Sequence, residues 1–391
     1  MQIRDEVAYV FPDKLGGVFN YVGNLLAHKR DDRLASAAIR TDNACDIEAR
    51  CDEPFVADRD IRFPYSLPPE NIYSVLRRLA RLLSGRPGVM VANDWIELAA
   101  TAVHDTGRAV VAITHGDFDY YYDLAVRHRD TIDAYVTYSD RMFKRLRELL
   151  PDRHDAIFLL PYGVEIPLIV RRPAAGPLRL LYVGRVTRTK GVFDLPAIDA
   201  KLRDQGVDVT WTIQGTGPHE AALKDTWKDA RLIRWTGMQP MADVLRLYAS
   251  HDVLVMPSRN EGLPVALLEA GAAGVVPVAS NLASGIPDVV VPGVTGYRPE
   301  PGDVDGFAGA IASLAADRDQ LEAMSRAVRE RVATKYDASI CTAAYERLFS
   351  DWRQWKRARP SRVHLPYGSR LDQPWLPNPL VRAIRAARMK P

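Results

Sequence analysis

The sequence predicts an α/β protein with two Rossmann-like domains that face each other across a cleft. Its 391 residues, 47% of them hydrophobic and 26% charged, are enough for two globular domains with separate cores. Short apolar runs alternate with amphipathic stretches along most of the chain, which is typical of parallel sheets with helices on both faces. Small residues and prolines interrupt this alternation at 171–177 and predict an interdomain linker.

The N-terminal domain is predicted at 1–170. Its first strand, EVAYVF, leads through a glycine-rich turn at Gly16 and Gly17 into the amphipathic helix VFNYVGNLLAHK. Three later strands are predicted in VMVAND, AVVAITH and AYVTYS, and Asp94 is placed to cap the helix that follows the first of them. Residues 40–70 contain several prolines and receive no assignment.

The C-terminal domain is predicted at 178–340, where the alternation resumes with the strands LRLLYVG, VDVTWTIQG, HDVLVMPS and GVVPVAS. Ligands of such sheets bind beyond the carboxyl ends of the strands, so the cleft is the expected site. A helix and a basic, proline-rich tail at 341–391 complete the chain, and we expect them to pack back on the N-terminal domain.

Charge is unevenly distributed along the chain. The net charge is +3, but the residues after Trp352 hold ten Lys or Arg and one acid, about +9, which leaves about −6 for the rest. A basic tail indicates an anionic partner such as a membrane surface. The segment NPLVRAIRAARMK can form a helix with Leu380, Val381 and Ile384 on one side. Packing on the N-terminal domain is the alternative, and the acidic body argues against nucleic acid.

Other classes of protein are disfavoured by what the sequence lacks. Cys45, Cys51 and Cys341 form neither an even set nor a C-x-x-C pair, so we expect a reducing compartment and no structural zinc. The sequence shows no signal peptide and no long apolar segment, so a cytoplasmic location is expected.

The first motif with chemical content is GRVTRTKG, which starts at Gly184 directly after a predicted strand. Arg185 offers a bidentate fork and Lys190 a point charge, a pair that suits a diphosphate. A helix expected to open after this loop would add a favourable field at its N-terminus. The alternative is a solvated basic turn.

The second motif, EGLPVALLE, places Glu261 in a loop and Glu269 inside a helix that begins near Pro264. Glu269 falls among apolar residues, where a carboxylate needs a partner, and two ribose hydroxyls would serve. The alternative is an acid at the edge of an amphipathic helix.

The strings GRVTRTKG, IQGTGPHE, TGM, SRNEGLPVALLEA, GVVPVAS and VVVPGVTGYR, in this order, resemble the retaining glycosyltransferases of family four. That family has the two-domain GT-B architecture and an E-x7-E signature. The resemblance is close over 177–300 and looser before it. The chain departs from the family pattern at Pro161–Val164 and at Ala283–Asp288, so the resemblance does not extend to detailed sugar specificity.

The resemblance implies a role for each matching residue of the C-terminal domain. Arg185 and Lys190 would hold the donor diphosphate, Glu269 the ribose hydroxyls, and Glu261 would face the donor sugar. The remaining donor contacts would come from Gly184, Gly215, Met238, Gly262, Leu263 and Pro264, with Gly215 and Met238 bordering the nucleobase.

In the N-terminal domain the resemblance places Gly16 and Gly17 near the diphosphate and His115 near the donor sugar. A tight strand–helix turn and a structural hydrogen bond are the respective alternatives. The acceptor side would be formed by Asn93, Asp94, Asp117 and Tyr120. Asp117 and Asp119 form a D-x-D string, but Arg185 and Lys190 already supply the positive charge that a metal would provide, so no metal is expected.

The predicted activity is therefore a retaining, metal-independent transfer of a sugar from a UDP- or GDP-linked donor to a hydroxyl of a glycan or lipid-linked acceptor. No cofactor is expected beside the nucleotide sugar, and bacterial surface polysaccharide or glycolipid synthesis is the expected setting, with the cytoplasmic membrane face as a candidate location. The alternatives are a catalytically silent GT-B binding protein and a sugar-nucleotide epimerase or synthase.

Overall fold

A computed structural model describes residues 4–14, 16–46, 54–227, 233–359 and 366–388. The chain divides into two compact units, of which the first comprises Met1–Tyr138, Met142–Tyr162 and Cys341–Pro391. The second unit comprises Ser139–Arg141 and Gly163–Ile340. Cys51 and part of the basic tail, including Arg362 and Lys390, lie outside the described residues.

The first unit contains a seven-stranded parallel sheet in the order β3-β2-β1-β4-β5-β6-β7. Its strands are β1 (Asp5–Pro12), β2 (Leu34–Asn43), β3 (Arg59–Tyr65), β4 (Gly88–Ala92), β5 (Ala109–Ile113), β6 (Ala134–Thr137) and β7 (Ile157–Leu159). Its helices before the second unit are α1 (Gly17–Ala27), α2 (Ile72–Leu83), α3 (Trp95–Val103), α4 (Asp119–Arg127) and α5 (Asp140–Leu149). The three strands β4, β5 and β6 are buried along their whole length, as parallel strands between helices should be.

The segment that received no assignment, 40–70, contains the end of β2 and the edge strand β3. Three of the first four residues of β3, Arg59, Asp60 and Arg62, are charged, which suits an edge strand but hides its apolar pattern. Arg40 is buried in β2 because both oxygens of Asp60 accept hydrogen bonds from its guanidinium, at 2.8 and 2.9 Å. Ion pairs between neighbouring strands therefore help to hold this part of the sheet together. A search for alternating apolar residues does not detect such pairs.

The second unit contains a five-stranded parallel sheet in the order β10-β9-β8-β11-β12. Its strands are β8 (Leu178–Val183), β9 (Val209–Gln214), β10 (Ile233–Gly237), β11 (Val253–Met256) and β12 (Val276–Ala279). Its helices are α6 (Leu195–Asp204), α7 (Glu220–Thr226), α8 (Met241–Ala249), α9 (Val265–Ala272), α10 (Ile286–Val289), α11 (Val304–Ala316) and α12 (Arg318–Lys335). The alternation predicted from the sequence is confirmed in both units.

The C-terminal segment, with α13 (Ala338–Ser350), α14 (Trp352–Trp355) and α15 (Asn378–Arg388), returns to the first unit as expected. Arg353 pairs with Asp5, and the guanidinium of Arg359 donates to both oxygens of the fully buried Asp133, at 3.1 and 2.6 Å. Two cations of the tail, Arg353 and Arg359, thus pair with acids of the body.

The tail helix differs from its predicted amphipathic form. Val381 is fully buried and Arg385 pairs with Asp372 on the same side, whereas Leu380 is 48% exposed. Val381 therefore packs against the protein while Leu380 faces solvent, so the expected apolar side does not form one continuous exposed surface. Among the described helices none is both long and apolar enough to span a bilayer.

Candidate active site

The loop after β8 begins at Gly184, whose N–H donates to the carbonyl of Gln214 at 3.1 Å. The hydroxyl of Tyr182, in β8, donates a hydrogen bond to the carbonyl of Arg185 at 2.8 Å and so holds the loop against the end of that strand. The helix expected after this loop, α6, begins at Leu195, and two short 3-10 turns lie between it and the loop. The cations of the loop therefore lie on irregular backbone and not at the start of a long helix.

Two glycines of this region are required by close backbone approach. Gly191 has a φ of +67°, and a Cβ there would lie 1.8 Å from the carbonyl oxygen of Pro257. A Cβ at Gly215 would lie 2.0 Å from the carbonyl oxygen of Gly184. The loop is thus packed against the segments that follow β9 and β11, which limits its freedom to move.

Lys190, in this loop, forms an ion pair with Glu261, which lies 71 residues further along the chain. Nζ of Lys190 lies 2.8 Å from each carboxylate oxygen of Glu261, and the hydroxyl of Ser258 donates to Oε1 at 2.7 Å. The guanidinium of Arg185 is exposed and has no hydrogen-bond or ion-pair partner in the part of the chain that the structure describes. Arg185 is therefore available to an anion, while Lys190 already has a counter-charge.

Glu269 lies in the middle of α9, the helix that begins directly after Pro264 as predicted. Burial raises the pKa of its carboxyl to about 7, against the smaller effect of the Tyr248 hydroxyl, which donates to Oε2 at 3.0 Å. The sequence analysis missed Tyr248, because it lies on α8 and no spacing rule connects it to Glu269. The Glu269 carboxylate, which was predicted to need a partner, thus has one hydrogen-bond donor within the protein, the hydroxyl of Tyr248.

The backbone of the EGLP segment is held by the region that departs from the family pattern. The carbonyl of Gly262 accepts a hydrogen bond from the N–H of Gly285 at 2.8 Å. Leu263 is buried, and a Cβ on Gly285 would lie 2.9 Å from its Cβ. The altered sequence at 283–288 thus still supports the segment with a glycine.

The two loops assigned to the nucleobase are neighbours. The N–H of Gly215 donates to the carbonyl of Gly237 at 2.8 Å, and Met238, the next residue, is 64% exposed. An exposed methionine beside a hydrogen-bonded pair of loops offers an apolar surface for a planar base.

In the first unit, His115 follows β5 and both of its ring nitrogens have partners. The side-chain nitrogen of Asn93 donates to the carbonyl of Val10, so Oδ1 of Asn93 faces Nε2 of His115, at 2.7 Å. Nε2 must therefore donate, and Nδ1 accepts from the hydroxyl of Tyr138 at 2.5 Å. Burial lowers the pKa of His115 to about 3. The ring is thus neutral at physiological pH and fixed in one tautomer.

Asp94 caps α3 by accepting from the N–H of Trp95 at 2.7 Å, as predicted, and its Oδ1 also accepts from the hydroxyl of Tyr120. Glu97, which the sequence analysis did not single out, is fully buried three residues further along. The pattern Asp-x-x-Glu at a helix start would have identified it as a capping-box position.

The D-x-D string is paired inside the protein. Nη2 of Arg145 lies 2.6 Å from Asp119, Nη1 lies 3.6 Å from Asp117, and the hydroxyl of Tyr122 donates to Asp117 at 2.5 Å. Among the described residues no group of three or more His, Cys, Asp or Glu is arranged to hold a metal ion. Asp117 and Asp119 thus have an arginine as their counter-charge.

Gly16 and Gly17 lie at the start of α1, and a Cβ at either position would meet open space. Asp13, just before them, is buried and forms ion pairs with Arg62 at 2.9 Å and Arg40 at 3.6 Å. Ion pairs therefore hold Asp13 just before the two glycines, whereas the space beside Gly16 and Gly17 is open.

Comparison with known proteins adds independent information. Residues 170–331 match the family model described as glycosyl transferases group 1. Over 298 residues the chain is 30% identical to glycogen synthase of Mycobacterium tuberculosis, an alignment that covers 70% of this chain and 71% of the relative. Over 181 residues it is 33% identical to the amylovoran biosynthesis glycosyltransferase of Erwinia amylovora, covering 44% of each.

Solved structures are similar in fold. Sucrose-phosphate synthase from Thermosynechococcus elongatus superposes with a TM-score of 0.73 at 19% identity, covering 90% of this chain and 100% of that one. HepE of Anabaena in complex with UDP-glucose superposes with a TM-score of 0.71 at 15% identity, covering 88% and 99%. Both support the GT-B fold. Together with the identity to glycogen synthase over most of that relative's length, they show that this chain is a glycosyltransferase and belongs to the group 1 glycosyl transferases.

Proposed function

We propose that the chain is a retaining, metal-independent glycosyltransferase that moves a sugar from a UDP- or GDP-linked donor to a hydroxyl of a glycan or lipid-linked acceptor. The observation that carries this proposal is the loop in which the exposed Arg185 has no partner among the described residues while Lys190 is paired with Glu261. Amylovoran biosynthesis in one relative and bound UDP-glucose in one structural neighbour support a polysaccharide or glycolipid setting and a nucleotide-sugar donor.

The charge of the loop suits a diphosphate. Lys190 and Glu261 together are neutral, so Arg185 supplies the first net positive charge, and rearrangement of the Lys190 contact would supply the second. Glu269 would accept the ribose hydroxyls, since its partly buried carboxylate has one hydrogen-bond donor among the residues that the structure describes, the hydroxyl of Tyr248. Gly215 and Met238 would border the base.

The reaction needs electrostatic help and no nucleophile from the protein. Negative charge develops on the leaving nucleoside diphosphate, and Arg185 and Lys190 stabilise it. The departing phosphate takes the proton of the acceptor hydroxyl on the same face, which retains the anomeric configuration. His115 would approach the donor sugar as a neutral, oriented ring and not as a base, because both of its nitrogens already have partners.

Release of nucleoside diphosphate, measured with and without candidate glycan acceptors, tests this proposal. We expect release that depends on an acceptor, and a raised melting temperature with UDP or GDP. NMR of the product should show the anomeric configuration of the donor. Nucleotide binding without turnover would instead identify a silent binding protein, and a changed sugar on the recovered nucleotide would identify an epimerase.

We also propose that the protein works at the cytoplasmic membrane face, with the tail toward anionic lipid. The support is the exposed part of the tail, where Trp375 is 74% exposed and Arg370, Arg382 and Arg388 are exposed. Removal of all residues after Arg359 keeps the pair with Asp133 and should weaken binding to phosphatidylglycerol vesicles. Unchanged vesicle binding would leave only the packing role.

A further inference from the structure

One cation of the loop after β8 is already occupied by an acid of the same unit. Nζ of Lys190 lies 2.8 Å from each carboxylate oxygen of Glu261. The side chain of Glu261 is 7% exposed and that of Lys190 is 33% exposed. A buried carboxylate that loses its cation costs free energy, because its charge is then neither well solvated nor neutralised. An anion that approaches Lys190 therefore meets a carboxylate with a strong hold on it.

The backbone on both sides of this pair is held in place. The N–H of Arg259 donates to the carbonyl of Thr189 at 2.8 Å. A Cβ at Gly191 would lie 1.8 Å from the carbonyl oxygen of Pro257, so the two backbone segments are in close contact. Separation of the ion pair thus requires movement of a side chain and not of either segment.

The two side chains of the pair differ in their freedom to move. The hydroxyl of Ser258, which is 1% exposed, donates to Oε1 of Glu261 at 2.7 Å and holds the carboxylate in place. Lys190 has a flexible four-carbon stem that is partly open to solvent. Lys190 is therefore the partner that can leave, and Glu261 then keeps Ser258 on Oε1 and needs a new donor for Oε2.

We propose that Glu261 competes with the donor diphosphate for Lys190, and that the sugar of an intact donor completes the exchange by donating a hydroxyl to the released carboxylate. A phosphate oxygen replaces Glu261 as the partner of Lys190. The nucleoside diphosphate that remains after transfer offers no sugar hydroxyl, so the return of Glu261 to Lys190 favours its release. Ser258 is a positioning residue, because it holds Glu261 while the cation is away. This inference rests on the proposed function, whose donor site it regulates.

Glu261→Gln tests the exchange, because it removes the competing charge but keeps the size of the side chain and an acceptor for Ser258. Calorimetry compares UDP with UDP-glucose and GDP with GDP-mannose. We expect the variant to bind the nucleoside diphosphate roughly threefold or more tightly than the unmodified protein, since Lys190 no longer has to leave a carboxylate. Its preference for the intact donor over the diphosphate should fall by a similar factor.

A matched control for net charge lies in the same unit. Lys201 and Asp305 form an ion pair that is also 2.8 Å long but lies at exposed side chains. Asp305→Asn removes one negative charge and releases one lysine, as Glu261→Gln does. Affinity of this variant for the diphosphate should equal that of the unmodified protein.

Ser258→Ala should act in the opposite direction. Without the hydroxyl, the released Glu261 has no side-chain donor while the nucleoside diphosphate is bound, so affinity for the diphosphate should fall roughly threefold or more. Affinity for the intact donor should fall less, because the sugar hydroxyl still reaches Glu261. Damage to the site would weaken binding in both variants, so opposite signs distinguish the exchange from a purely structural role.

A crystal structure with the bound diphosphate gives the direct observation. Nζ of Lys190 should be hydrogen-bonded to a phosphate oxygen and lie beyond about 4 Å, the limit of an ion pair, from both oxygens of Glu261. An intact pair in that complex, or unchanged or weaker diphosphate binding by a folded Glu261→Gln protein, would overturn the inference. Failure of the unmodified protein to bind any of the four nucleotides would instead overturn the proposed function.

Discussion

The candidate site residues of the two units differ in the charge they present. In the second unit the donor loop keeps full charges close together, with Lys190 held between the carboxylate oxygens of Glu261 and with Arg185 exposed beside it. In the first unit the ring of His115, which follows β5, is neutral and hydrogen-bonded at both nitrogens, and the nearby Asp117 and Asp119 are paired with Arg145.

This difference matches the chemistry that each side would serve. A leaving diphosphate gains negative charge during the reaction, and preorganised cations stabilise such a group. A sugar hydroxyl stays neutral until it attacks, so neutral donors and acceptors suffice to orient it. Four predictions test this difference between the two units.

The largest effect is expected on the stability of the first unit. Arg359→Ala removes the cation that faces the fully buried Asp133 and should cost roughly 3–5 kcal/mol of unfolding free energy. Urea unfolding followed by tryptophan fluorescence measures it, with the exposed Arg382→Ala as a control within about 0.5 kcal/mol. A cost no larger than that of the control would show that the tail is dispensable for the fold.

The next effect concerns turnover and the second unit alone. Arg185→Ala or Lys190→Ala should each lower kcat by roughly 10²–10³-fold, because each removes a cation from the leaving diphosphate. Arg188→Ala, an exposed cation of the same loop, is the matched control for net charge. If all three variants lose activity equally, general electrostatic attraction and not a specific clamp explains the loop.

A smaller effect is expected from pH. Below a pKa of about 7 Glu269 is protonated and accepts ribose hydroxyls less well, so affinity for UDP-glucose or GDP-mannose should fall up to tenfold per pH unit below 7. The raised pKa also means that the free protein loses stability as pH rises from about 4.5 to about 7.

Glu269→Gln is the matched variant for both parts of this expectation. Nucleotide binding by this variant should be weaker than that of the unmodified protein and should not change with pH. Its melting temperature should not fall as pH rises from about 4.5 to about 7. His115 does not contribute to either profile between pH 5 and 8, because its pKa is about 3. A pH dependence that persists in Glu269→Gln would assign the titration to another group.

The smallest effect is expected in the hydrogen-bond set of the first unit. Tyr138→Phe removes the donor to Nδ1 of His115 and leaves a buried acceptor unpaired, at a cost of about 1–3 kcal/mol. Tyr120→Phe, at a half-exposed position, should cost less. Thermal unfolding of the two variants compares them, and equal costs would mean that His115 is not held by Tyr138.

Much of this could be predicted from the sequence, for a physical reason that differs between regions. Alternating apolar runs predicted both sheets, and the helix around Glu269 was predicted because a proline marks its start. The strand β3 was not assigned, because ion pairs such as Arg40 with Asp60 replace apolar alternation there.

The site residues show the same division. Arg185, Lys190, Glu261 and Glu269 come from two short strings and could be named from the sequence, and their role toward the donor stays a prediction. Tyr248 and Ser258 could not, because their contacts with Glu269 and Glu261 depend on neighbours brought close by the fold. The same is true of the partners of His115, which come from β4 and from the end of β6.

The return of the tail to the first unit has a consequence for biosynthesis. During translation Asp5 and Asp133 emerge long before Arg353 and Arg359, their partners, have been made. The second unit, by contrast, is complete once Ile340 has emerged. The unit whose first residues are synthesised first is therefore the last to be completed, and a chain that ends near residue 340 would contain a complete second unit attached to an incomplete first unit.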